Sequence, residues 1–234
     1  MNIAIITAAG KGTRANLGVP KQFYKVNSKE IIAYTIEAFE KCQDVDCIIL
    51  VLPEERLDVF GQLKSKYHFN KLYSCCPGGE TNELSIFEGF REAKRIAKDD
   101  DIIIIHDGVR CLVNSDIIEN NIRTCKKYGN AITTIPCNEA MLFSAVDDKA
   151  NIVLDRTKIF KTQTPHSIFF KKGYKLLESS IEKGITNSVA LCTLLVENNE
   201  EVYFSKGSNI NFKITNPEDI FLFKSMLSLQ KENN

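Results

Sequence analysis

Ile3-Ala4-Ile5-Ile6-Thr7-Ala8-Ala9-Gly10-Lys11-Gly12-Thr13-Arg14 begins as an apolar run and ends as a loop of small residues closed by an arginine. The run reads as a buried strand, which puts the loop at the carboxyl edge of a sheet, where ligands of open α/β sheets bind. Gly10 and Gly12 let backbone N–H groups come close to a phosphate chain. Arg14, and Lys21 in the nearby Pro20-Lys21-Gln22, add fixed positive charge beside those amides. A tight turn between strand and helix would need the glycines but not the accompanying charges, so a nucleotide-phosphate loop is the preferred reading. Two other phosphate loops do not fit. A dinucleotide fingerprint needs a third glycine where Arg14 stands and an acid about 20 residues later. A P-loop needs G-x-x-x-x-G-K-[ST], which is not spelled here.

The alternation continues outward from this loop. Asn27 and Glu30 have the spacing of a capping pair for a helix through Ile31, Ile32, Tyr34, Thr35 and Phe39, followed by a strand at Cys47 to Leu52. A helix from about Glu54 to Tyr67, a strand near Leu72 to Cys75, the break Pro77-Gly78-Gly79 and a helix through Phe87, Phe90 and Ala93 come next. Ile102 to Ile105 is a β-branched run of a central strand that delivers Asp107 to the same edge as the first loop. Ser115 caps a helix that stops at Gly129, and Ala131 to Pro136 forms the next strand. The pattern predicts an α/β fold with a mostly parallel twisted sheet flanked by helices.

Between about residues 137 and 162 the pattern changes to short alternating segments around a turn at Asp147-Asp148-Lys149, which predicts a β-hairpin arm outside the main sheet. Met141, Leu142 and Phe143 on such an arm need cover, and a second copy of the chain would supply it. Helices ending at Gly184 and spanning Val189 to Glu197, a strand at Glu201 to Ser205, and a helix entered through Asn216-Pro217 complete the chain.

The 234 residues form one expected domain, since no linker-like tract divides them. Thirty basic and thirty acidic side chains cancel, which gives no field for holding nucleic acid or a membrane surface. The eight cysteines show no paired C-x-x-C spacing, as suits a reduced chain. Met1 leads straight into the first strand and no apolar run approaches ~18 residues, so a soluble cytoplasmic protein is expected.

Asp107 beside a triphosphate site is the metal candidate, since magnesium takes one or two carboxylates plus phosphate and water oxygens. Its alternative is a carboxylate capping the turn that follows. His106 reads as a structural residue at the strand end, and His68 and His166 as surface or turn residues. Lys213 and Arg156 stay open between solvated side chains and site residues, Arg156 being a possible surface partner of Asp155.

Ala8-Ala9-Gly10-x-Gly12-x-Arg14, Pro20-Lys21-Gln22, Gly78-Gly79 with Ser85, His106-Asp107-x-x-Arg110, Asp155-Arg156, Gln163-Thr164-Pro165, and Asn211-x-Lys213-Ile214-Thr215-x-Pro217-Glu218-Asp219 follow one another along the chain. In that order the chain resembles the CTP-dependent cytidylyltransferases that act on methylerythritol 4-phosphate (IspD type) or ribitol 5-phosphate (TarI type). The resemblance spans essentially the whole length. It implies a Rossmann-like nucleotidyltransferase fold, a homodimer formed through the arm, and transfer of CMP from CTP to the phosphate of a small polyol or sugar phosphate. It also implies roles. Ala8, Ala9, Gly10, Gly79, Glu80 and Ser85 would surround cytosine and ribose, and Gly12, Arg14 and Lys21 would hold the triphosphate. Asp107 would bind Mg2+. Arg110, Arg156, Thr164, Thr186 and Lys213 would handle the acceptor phosphate or the reacting phosphates, with Arg14, Lys21 and Lys213 as the catalytic cations.

The chain departs from the family pattern in places. Asn82 stands for an arginine, Cys111 for a proline, Glu139-Ala140 for an aspartate and a threonine, and Asn187 for an aspartate. The nucleotide half is kept and the acceptor half has drifted, which favours a linear polyol phosphate as acceptor. The other function class is a CTP-binding regulatory or scaffold homologue without turnover.

Overall fold

β1 (Asn2–Thr7) is a six-residue run with Ile3 to Ile6 buried, and it lies near the middle of the main sheet. The computed structural model describes residues 1–10, 18–186 and 190–232. After β1, a short hairpin of β2 (Lys25–Val26) and β3 (Lys29–Glu30) leads into α1 (Ile31–Lys41). The expected capping pair is not there. Asn27 and Ser28 take left-handed φ values of 48° and 64° as the hairpin turn, and Glu30 enters α1 without a side-chain cap. Asn tolerates that backbone region, so the turn takes the residue that the spacing assigned to a cap.

β4 (Cys47–Leu52) matches expectation, while the next helix splits into a 3-10 turn at Glu54–Arg56 and α2 (Val59–Tyr67). β5 (Leu72–Pro77), α3 (Asn82–Ala93) and β6 (Ile102–Asp107) follow. α4 (Ser115–Tyr128) is capped one residue earlier than expected, by Asn114, and ends at Gly129 with φ 93°. β7 (Asn130–Pro136) then runs out to the arm, β8 (Met141–Phe143) paired with β9 (Ile152–Leu154). β10 (Phe160–Phe169), α5 (Phe170–Glu182), α6 (Leu191–Glu197), β11 (Phe204–Lys206) and α7 (Pro217–Glu232) complete the order.

The seven main strands lie in the order β11-β7-β10-β6-β1-β4-β5, and β10 runs antiparallel to both its neighbours. The other pairs are parallel, so the sheet is mostly parallel as the alternation predicts. Side chains alternate between two cores. Ala4, Ile6, Ile48, Leu50 and Ile104 pack towards α1, α2 and α4, and Ile3, Ile5, Ile49, Val51 and Ile103 towards α3, α5 and α6. Burial on both faces explains why these strands read as unbroken apolar runs.

Register assembles the site. Thr7 pairs with Val51 on one side and Asp107 on the other, so three strands end level at one edge. β10 enters that edge from the opposite direction, and its pairing with β7 lapses between Thr162 and His166. The lapse frees Gln163 and Thr164 to turn towards the end of β6. Pro136 pairs with Phe160, so the arm projects from the same edge.

Candidate active site

A cavity of about 930 Å³ opens at the carboxyl edge, and Ala8, Ala9, Gly10, Lys21, Gly79, Glu80, Ser85, Asp107, Arg110, Thr164 and Lys213 line it. Sequence reading named each of these. Gly12 and Arg14 lie outside the described residues. Arg156 and Thr186 do not line the cavity.

On one wall, the loop after β1 is held by its carbonyls. Gln22 is buried, and its amide donates to the carbonyls of Ala8 at 2.6 Å and Gly10 at 2.9 Å. The Ala8 N–H donates to the Val51 carbonyl. A β-carbon at Gly10 would meet no atom of the other described residues within 4 Å. The facing wall is the turn before α3. A β-carbon at Gly78 would lie 2.2 Å from that of Ala9, so only glycine lets the two loops close on each other. Ser85 donates to the Gly79 carbonyl at 3.2 Å, and Thr81 caps α3 by accepting from the Leu84 N–H. Thr81 also donates to the carbonyl of Thr186, which ties the turn before α3 to the segment after α5.

Asp107 sits on the floor between two cations. Lys213 Nζ is 3.1 Å from Oδ1 and Arg110 Nε is 3.0 Å from Oδ2. Burial alone would raise this carboxyl, but Lys213 and Arg110 outweigh it and hold the pKa at about 2. Lys213 thus lines the cavity and pairs with Asp107, while its side chain stays 42% exposed. Arg110 also donates to the Asn211 carbonyl at 2.9 Å, which ties the floor to the segment carrying Lys213. Gln163 grips both backbone groups of Ser208 at the start of that segment.

Two histidines are buried at the floor, His166 in the cavity lining and His106 behind it. His106 approaches the Arg110 carbonyl through Nε2 at 3.1 Å and the Thr164 hydroxyl through Nδ1 at 3.0 Å. Burial pushes its pKa down to about 4. His166, expected as a surface or turn residue, is buried on β10, and burial likewise lowers it to about 4. The antiparallel strand, unrecognised in the sequence, is what carries it inside. His68 is exposed at the end of α2 with φ 55°, as expected of a turn residue.

Arg156 lies in a 3-10 turn at the base of the arm, exposed, and donates to the Asn138 carbonyl at 3.1 Å. It is not the partner of Asp155, which instead accepts from Thr157 and faces Lys158 at 3.9 Å. Glu139 pairs with Lys161 at 3.0 Å on the exposed side.

Among the described residues no three His, Cys, Asp or Glu side chains gather as a metal cage. The donor set at Asp107 is a single carboxylate whose two oxygens pair with Lys213 and Arg110. It fits a magnesium ion that arrives with a triphosphate and takes its other oxygens from phosphate and water. All eight cysteines are free thiols.

A family model for 2-C-methyl-D-erythritol 4-phosphate cytidylyltransferase, IspD, matches residues 2–228. The chain belongs to the IspD cytidylyltransferase family. A ribitol-5-phosphate cytidylyltransferase of Streptococcus agalactiae serotype Ia is 36% identical over 97% of this chain and 95% of its own. A 2-C-methyl-D-erythritol 4-phosphate cytidylyltransferase of Clostridium botulinum is 34% identical over 97% of each chain. In fold, the chain superposes on the 4-diphosphocytidyl-2C-methyl-D-erythritol synthase of Anaerococcus prevotii with a TM-score of 0.83, at 24% identity and covering 97% of this chain and 98% of that one.

An IspD-family chain is a nucleotidyltransferase, and the cavity suits that chemistry. Among the described residues its lining brings Lys21, Arg110 and Lys213 together with Asp107, Glu54, Glu55 and Glu80. The residues that sequence reasoning left without a role are the supports. Gln22 and Gln163 stood inside quoted motifs, and their burial was the missing signal. No helix among the described residues is long and apolar enough to cross a membrane.

Proposed function

We propose that the protein transfers CMP from CTP to the phosphate of ribitol 5-phosphate, releasing pyrophosphate and forming a CDP-polyol. The observation that carries this reading is the carboxyl-edge cavity in which Asp107 is bracketed by Lys213 and Arg110 opposite the glycine loop and Lys21. Ribitol phosphate is preferred because the 36% identical streptococcal relative bears that name, and because Glu139-Ala140 replaces the family's aspartate and threonine on the acceptor side.

In this reading the backbone around Ala8, Ala9, Gly10 and Gly79, with Glu80 and Ser85, receives cytosine and ribose. Gly12, Arg14 and Lys21 hold the triphosphate. A phosphate oxygen of the acceptor forms a bond to the α-phosphorus as the bond to pyrophosphate breaks. A phosphate monoester is already nucleophilic near neutral pH, so the site needs alignment and charge stabilisation and no covalent intermediate. Lys21, Lys213 and Arg14 offset the charge that builds at phosphorus. Asp107 would hold a magnesium ion, which supplies further charge neutralisation when bound. Arg110 orients Asp107 from below.

The arm completes the site from a second copy. Leu142 is 63% exposed and Val153 76%, an apolar face that a homodimer would cover. Arg156 at its base then serves the partner's acceptor pocket, which explains why it does not line the cavity of its own chain. A methylerythritol phosphate acceptor is the second reading, favoured by the retained Arg156.

Pyrophosphate release from CTP with magnesium and a panel of four- and five-carbon polyol phosphates tests the proposal. Acceptor-dependent release supports it. CTP binding without release with any acceptor replaces it with a non-catalytic CTP-binding homologue.

A further inference from the structure

His106 is fully buried at the end of β6, packed against Phe39 with ring centroids 5.0 Å apart, and outside the cavity lining. Its hydrogen bonds nevertheless determine how one lining residue meets substrate. A carbonyl oxygen only accepts, so the 3.1 Å contact with the Arg110 carbonyl requires the proton on Nε2. Nδ1 of the neutral ring is then an acceptor, and its partner at 3.0 Å is the Thr164 hydroxyl. The single Thr164 proton therefore points at the ring. One lone pair of the same oxygen accepts from the Asp107 N–H at 3.1 Å. A hydroxyl has one proton and two lone pairs, so a single lone pair is left to face the cavity that Thr164 lines.

We infer that His106 is a positioning residue that fixes the polarity of Thr164, so that this hydroxyl receives a hydrogen bond from an acceptor hydroxyl group and does not donate one to a phosphate oxygen. The inference rests on the proposed acceptor reading and deepens it. Thr164 becomes a sensor of the polyol chain, while the phosphate is left to the cations. The same ring pins the carbonyl of Arg110, in the turn that brings its guanidinium to Asp107.

The first test needs no substrate. Long-range proton–nitrogen NMR of protein carrying 15N-histidine, with the His106 signals assigned by their loss in His106→Gln, should show the Nε2–H tautomer. A proton on Nδ1 overturns the inference.

The second test measures KM for CTP and for each acceptor, with ribitol 5-phosphate and methylerythritol 4-phosphate run in parallel. Thr164→Val should raise the acceptor KM about tenfold, the value of one hydrogen bond, and leave the CTP KM within about twofold. Thr164→Ser should restore most of the loss. His106→Asn, which keeps an acceptor near Nδ1, should lie closer to the parent than His106→Gln. An unchanged acceptor KM in Thr164→Val, or equal movement of both KM values, overturns the sensing role. No turnover with either acceptor overturns the proposed function instead, and the tautomer then still decides the positioning role.

Discussion

On the nucleotide side of the cavity the backbone is held by buried groups. Gln22 ties down two loop carbonyls, and Ser85 and the missing side chain of Gly78 hold the facing turn against Ala9. On the acceptor side Glu139 and Ala140, which depart from the family pattern, and the retained Arg156 are exposed on or near an arm that leaves the sheet. Exposed side chains change at little cost in stability, whereas a buried amide with two carbonyl partners does not. In the proposed assignment the nucleotide wall is thus constrained by folding as well as by chemistry, whereas the part of the acceptor wall that lies on the arm is not.

The comparison breaks first at the cations. Lys21→Ala should lower kcat by about 10² to 10³, the usual loss when a preorganised charge is removed, and Lys213→Ala by somewhat less. Both variants should keep the parental melting temperature within a few degrees. An equally active Lys21→Ala would remove the triphosphate from this wall.

Acid should unfold the protein through its buried histidines before its floor carboxylate. The folded pKa values of His106 and His166 are depressed to about 4, below the free value near 6.5. Their contribution is full above pH 6.5 and lost as pH falls from there through 4. Asp107, held at about 2, adds stability above its unfolded value of 3.8 that disappears only as pH falls from there to 2. Urea midpoints should fall steadily between pH 6.5 and 4, and unchanged midpoints across that window would contradict the burial of these rings.

Gln22→Ala sharpens the contrast at lower amplitude. It leaves two carbonyls without their donor and should cost about 1 to 3 kcal/mol of stability, with a higher KM for CTP and an unchanged KM for the acceptor. Arg156→Ala should do the reverse. Being exposed, it should leave the urea midpoint in place while raising only the acceptor KM by about tenfold. If Arg156→Ala raises the CTP KM as well, the two sides are not separable.

The fold was legible because strands buried on both faces write themselves as apolar runs, as at Ile3 to Ile6, Cys47 to Leu52 and Ile102 to Ile105. The reversed strand was not. Gln163-Thr164-Pro165-His166 reads as a turn, since nothing local says that Thr162 and His166 resume pairing on either side of a lapse. His166 therefore reads from sequence as a surface or turn residue. At the site, the residues that touch the cavity could be named from motifs, and their supports could not. Whether Gln22 is buried, or whether Lys213 meets Asp107, depends on chain segments brought together over long sequence separations. Asn27 shows the opposite failure, where a valid capping pattern lost to a tight turn that the same residue type also serves.

The most direct test of the account is pyrophosphate release from CTP and magnesium, measured side by side with ribitol 5-phosphate and with methylerythritol 4-phosphate. The account predicts turnover with both walls intact and a clear preference for ribitol 5-phosphate. Preference for methylerythritol 4-phosphate would contradict the assignment of the acceptor wall, and CTP binding without release from either would contradict catalysis itself.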